Sequence, residues 1–122
     1  MFDWKKPTVQ MLGRWQPWHD GHTELFKKCI VKTGQVAILV RDINGDSNPF
    51  TFSQIVVRIR NELGKHNYNI NEHYIVLKVP NIVDISYGRD VGYSVTEHNL
   101  GKDIHSISAT NIRNEMRKKG EI

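Results

Sequence analysis

Residues 36–40 read Val-Ala-Ile-Leu-Val, five apolar positions in a row with no polar alternate. A strand with one wet face alternates; this one does not, so both of its faces need cover. The arrangement that covers a sheet on both sides is a parallel sheet with helices packed above and below it. The neighbouring segments fit that scheme. Thr8 to Leu12, entered through Pro7, is predicted as a first strand, because proline lacks the N–H donor and suits a strand's first position. Leu25, Phe26, Cys29 and Ile30 recur at helical spacing within 23–33, and Gly34 follows as a left-handed C-terminal cap. After the strand at Val36 to Val40, Asp42 to Phe50 contains Asn-Gly and Asn-Pro pairs and is predicted as a loop. Thr51 with Gln54 makes a capping-box start for a second helix, carrying Ile55, Val56, Ile59 and Leu63 on one face and Gly64 behind them.

Tyr74 to Val79 is predicted as a third strand ended by Pro80, Ile82 to Tyr87 as a weaker fourth closed by Gly88, and Ile104 to Ile107 as a short fifth. A last helix runs from near Ser108 to about Lys119, with Arg117, Lys118 and Lys119 in its final turn, where cations complement the negative helix end. The 122 residues suit one α/β domain spanning 1–122. The single cysteine, Cys29, excludes an intrachain disulfide and a cysteine-rich metal site, and is expected to fill core space. Hydrophobic residues at 39% and charged residues at 25% are those of a soluble globular chain. The N-terminal stretch has no long apolar core of a secretory signal, and no run approaches a membrane span, so a cytoplasmic location without membrane attachment is expected.

A net charge of +4 favours anionic partners without choosing among them. The basic triplet at 117–119 raises a nucleic-acid reading, but basic and aromatic residues do not interleave as a single-strand binder requires, and no nucleic-acid partner is expected. Phosphate-loop, G-x-G-x-x-G and G-x-S-x-G patterns are absent.

Chemistry concentrates in residues 13–22, G-R-W-Q-P-W-H-D-G-H, at the carboxyl end of the first strand, where parallel sheets bind ligands. With the first helix starting near Gly21, His19 and His22 flank its first turn three residues apart and share one side. Free backbone N–H groups and the positive helix end make that place a seat for phosphate, and Gly21 lets an anion approach the backbone between the rings. A zinc pair lacks a third ligand. Trp15 and Trp18 are expected to pack and shape the loop rather than to stack on a base. Near the C-terminus, Ser108 and Thr110 offer hydroxyls at another helix start, and Arg113 offers a guanidinium fork one turn on.

G-R-W-x-P-W-H-x-G-H resembles the signature of the HxGH nucleotidyltransferases, the cytidylyltransferase-like superfamily. Ile107-Ser108-Ala109-Thr110-Asn111-Ile112-Arg113 is similar to that family's I-S-x-T-x-x-R box. Asn48-Pro49-Phe50 and the sequence around Arg14 resemble archaeal-type nicotinamide-mononucleotide adenylyltransferases, and the chain length is that of short cytidylyltransferases. The resemblance implies a Rossmann-like domain with a parallel sheet of about five strands. It implies transfer of a nucleotidyl group from ATP or CTP to a small phosphorylated acceptor, with release of pyrophosphate. His19 and His22 would be catalytic. Gly13, Arg14, Gly21, Gly88, Arg89, Asp90, Ser108, Thr110 and Arg113 would complete the nucleotide site, Mg²⁺ would bridge the phosphates, and a homodimer or higher homo-oligomer is the family's habit. Arg89 and Asp90 read equally well as a local surface pair. A non-catalytic nucleotide-binding module is the other class compatible with these motifs.

Overall fold

In a computed structural model of the chain, residues 1–89, 92–100 and 109–122 are described. Among the described residues the elements follow in the order β1 (Val9–Gly13), α1 (Asp20–Thr33), β2 (Val36–Arg41), α2 (Phe52–Gly64), β3 (Tyr74–Val79) and α3 (Ala109–Lys118). The first three strands and the first two helices lie within a residue or a turn of their predicted positions. The strands form a parallel sheet in the order β1-β2-β3, with Val9 opposite Val36 and Val36 opposite Tyr74. The unalternating run at 36–40 is therefore the middle strand of the three, and Val36, Ile38 and Val40 are buried. Parallel neighbours on both sides use the backbone donors and acceptors of both edges, so no edge of this strand is left open.

Phe26, Cys29 and Ile30 of α1 and Ile55, Ile59 and Leu63 of α2 join the strands in one core with Trp15 and Trp18. Cys29 is thus the small core residue expected. The helix ends follow the sequence signals. Gly34 caps α1 at φ 86°, its N–H donating to Ile30 O at 2.7 Å. Thr51 and Gln54 form the reciprocal capping box that opens α2. Gly64 is the last residue of α2 rather than its cap, and Lys65 follows in a right-handed conformation.

Two expectations about the sheet need correction. Among the described residues it has three strands, not five. Residues 82–87 form no strand; Val83, Ile85 and Tyr87 are exposed, and Asp84 takes a hydrogen bond from the Ser86 hydroxyl. Asp84 and Ser86 satisfy each other locally, the competition with ladder pairing that short polar side chains offer. The predicted fifth strand at 104–107 lies outside the described residues, as does Ser108 at the predicted start of the last helix. Among the described residues no helix is long and apolar enough to cross a membrane.

Candidate active site

The loop from β1 to α1 is built around its two tryptophans. Trp15 adopts φ 52°, a left-handed conformation that a bulky residue holds only when its surroundings impose it. Those surroundings are visible. The Trp15 indole N–H donates to Leu39 O at 3.0 Å and its ring lies so close to Gly13 that a Cβ there would sit 2.7 Å from the ring. Gly13 is therefore needed to admit Trp15, a packing role beside the phosphate-site role that the motif implies. Trp18 is fully buried, its N–H donating to Thr23 Oγ1 at 2.9 Å, and the two indoles pack with centroids 5.0 Å apart. Both act as core residues, as expected. The Gln16–Pro17 peptide is cis.

Gln16 is a site residue that sequence reasoning passed over, standing as the variable position of the motif. It is 3% exposed, and its side-chain amide makes two bonds to one backbone unit: Nε2 donates to Phe50 O at 2.9 Å and Oε1 accepts from Phe50 N at 2.8 Å. This clamp joins the histidine loop to the loop before α2. Asn44 Nδ2 donates to the same Phe50 carbonyl and to Asn48 O, both at 3.1 Å.

The histidines themselves cap α1. His19 is the N-cap in an extended conformation; its Nδ1 accepts from Gly21 N at 3.0 Å, while His22 Nδ1 accepts from His19 N at 3.1 Å. This is a capping box in which imidazoles replace the usual hydroxyl and carboxamide. Its chemical consequence is a fixed tautomer. A ring nitrogen that accepts a hydrogen bond carries no proton, so each neutral ring bears its hydrogen on Nε2 and offers a donor at its far edge. The rings stack at a centroid separation of 3.6 Å and 20° between planes, facing one side as the three-residue spacing predicted.

Electrostatics keep both neutral. His22 packs edge-on to Trp15 at 4.7 Å and against Trp18 at 5.4 Å. Burial, followed by the neighbouring His19, pushes its pKa down to about 3. Burial also lowers the pKa of His19; Asp20 opposes the shift and Arg58 adds to it. Two neutral N–H donors at a helix N-terminus can meet negative charge as it develops on a phosphate oxygen, with no covalent intermediate.

Arg113, from α3, reaches this loop: Nη1 donates to Gln16 O and Nη2 to Thr110 Oγ1 at 3.2 Å. The two ends of the chain thus meet, joining Thr110 and Arg113 to the histidine loop. Burial, with the like charges of Arg117 and Arg14, lowers the pKa of Arg113. Arg117 Nη2 donates to Asp46 O at 3.4 Å. Two further guanidiniums, those of Arg14 and Arg117, therefore bring like charge to Arg113, and no carboxylate of the described residues is paired with any of the three.

Gly88 and Arg89 are exposed in the segment after Pro80, and a Cβ at Gly88 would meet nothing within 4 Å. Neither is hydrogen-bonded to the histidine loop. Asp90 and Ser108 lie outside the described residues. Arg58, half-buried on α2, was not singled out from the sequence; its Nε donates to Trp18 O at 2.7 Å. Its position in the helical pattern, on the border of the apolar face of α2, gave no signal, because contact with residue 18 depends on how α2 packs against the loop.

No family model matches the chain. Over 69 residues it is 32% identical to the nicotinamide-nucleotide adenylyltransferase of Methanococcus vannielii, covering 54% of this chain and 38% of that protein. Over 80 residues it is 31% identical to the enzyme of the same name from Methanococcus maripaludis, covering 63% of this chain and 43% of that one. The chain thus spans about two fifths of the length of these relatives. The relationship that the Gly13–His22 motif implied is borne out to this extent: the chain is related in sequence to nicotinamide-nucleotide adenylyltransferases.

Proposed function

We propose that the chain is an adenylyltransferase domain that moves AMP from ATP to a small phosphorylated acceptor and releases pyrophosphate. The observation that carries this reading is the stacked, neutral histidine pair at the start of α1, tied through the Gln16 carbonyl to Arg113 of α3. An acceptor oxygen attacks the α-phosphorus, a new P–O bond forms, and the bond to the β-phosphate oxygen breaks. His19 and His22 donate Nε2–H bonds to the charge that builds on the α-phosphate. Arg14, Thr110 and Arg113 hold the departing pyrophosphate, with Gly21 admitting the anion to the helix backbone. Adenine rather than cytosine is the base we favour, since the relatives bear the name adenylyltransferase.

Among the described residues no three His, Cys, Asp or Glu side chains come together. A magnesium ion carried on the nucleotide phosphates would neutralise charge there. The test is pyrophosphate release with each of the four nucleoside triphosphates, using nicotinamide mononucleotide, polyol phosphates and sugar phosphates as acceptors. ATP with one phosphorylated acceptor should give turnover, and His19→Ala should lose about 10² to 10³ of it while remaining folded. Tight ATP binding with no pyrophosphate from any acceptor would instead favour a nucleotide-binding module without chemistry.

A further inference from the structure

The cations around the histidine loop fall into two groups. The charges of Arg14 and Arg117 are both felt at Arg113, and Arg113 is bonded to the carbonyl of Gln16. Arg58 comes from a different helix, α2, and is bonded to the carbonyl of Trp18, directly beside His19. Its charge is felt at His19, whereas Arg113 responds to Arg117 and Arg14. The bond to Trp18 uses one of the five guanidinium N–H groups and orients the plane, leaving four donors. Among the described residues no carboxylate forms an ion pair with Arg58. A half-buried guanidinium fixed by a backbone carbonyl, with no carboxylate of the described residues paired to it, has lost part of its hydration, and a phosphate's paired oxygens match its remaining fork.

From this separation we propose that Arg58 forms a second anion subsite beside His19 that receives the phosphate of the acceptor, while the Arg14, Arg113 and Arg117 group takes the nucleotide's polyphosphate. The inference rests on the adenylyl-transfer reading and deepens it, because it makes the acceptor a phosphomonoester. It also gives the histidine pair its place in the reaction: the two anions approach the same loop from helices α2 and α3, and His19 lies next to the first.

The experiment is an NMR titration of the full chain with methyl phosphate at neutral pH, in the presence of saturating α,β-methylene ATP, following the Arg58 side-chain N–H and the His19 ring. Methyl phosphate should shift both signals while the nucleotide analogue stays bound. Loss of one charged hydrogen-bond donor typically costs about tenfold or more in affinity, so Arg58→Gln should weaken methyl phosphate by that much and leave the analogue's Kd within about twofold. Arg58→Lys, which keeps the charge and one donor, should recover part of the loss, and it is the readout if the Gln variant does not fold. Displacement of methyl phosphate by the analogue, equal weakening of both ligands, or no effect of Arg58→Gln overturns the proposal. Failure of pyrophosphate release with methyl phosphate binding intact would sink the enzymatic reading and leave the second anion subsite standing, so the two failures are distinguishable.

Discussion

The pKa of His22 provides a stringent test of the site, because a group held neutral at about 3 instead of 6.5 links folding to proton binding. Between those values the unfolded chain binds a proton at residue 22 and the folded chain does not. Stability from this source is therefore complete above pH 6.5 and is lost as pH falls from 6.5 toward 3. At pH 4.5, two pH units below the unfolded value, the loss is about 2–3 kcal/mol, with roughly 5 kcal/mol as the ceiling at still lower pH. The control is His22→Asn, whose side-chain oxygen stands near the position of Nδ1 and keeps an acceptor for the His19 N–H, but which cannot titrate. Urea unfolding of both proteins at pH 7 and pH 4.5 separates residue 22 from the carboxylates, which titrate in both. The stability advantage of the wild type over the variant should shrink by about 2–3 kcal/mol between the two pH values. An advantage that stays constant, or an NMR titration of the His22 ring with a midpoint near 6.5, would refute the burial of this imidazole between the two tryptophans.

Other substitutions probe the scaffold around it. Gly13→Ala places a Cβ 2.7 Å from the Trp15 ring, and should cost about 1–3 kcal/mol in thermal unfolding and shift the Trp15 fluorescence. Gln16→Leu leaves the N–H of Phe50 unsatisfied, while its C=O keeps the bond from Asn44 Nδ2, so a loss of about 1–3 kcal/mol and faster hydrogen exchange at Phe50 are expected. Phe26→Ala, at a fully buried core position of α1, should cost about 3–5 kcal/mol in urea unfolding. Tyr74→Phe is the counter-example: the Tyr74 hydroxyl is buried without a hydrogen-bond partner among the described residues, and burial pushes its pKa up to about 12, so deleting it should leave stability unchanged or raise it by about 1 kcal/mol.

Local chemistry decided what was legible from the sequence. A short unalternating apolar run rich in β-branched residues favours a central parallel strand, Thr51 and Gln54 can cap each other across one turn, and glycine at 34 can turn left-handed at no steric cost; each signal is contained within a few residues. The same locality placed His19 and His22 together, because three residues at a helix start put two rings on one side whatever the rest of the chain does. It failed at 82–87, where apolar residues wrote a strand pattern but polar neighbours satisfied one another and no sheet edge was taken up.

Tertiary packing alone decided the rest. The clamp of Gln16 on Phe50, the reach of Arg113 from α3 to the Gln16 carbonyl, and the approach of Arg58 to Trp18 join residues 34, 97 and 40 positions apart. The near-acidic pKa of His22 likewise needs two indoles and a stacked ring around it. The sequence names the groups that can donate, accept or titrate. Which of them share a site, and with what charge, depends on contacts and desolvation that exist only once distant segments are packed together.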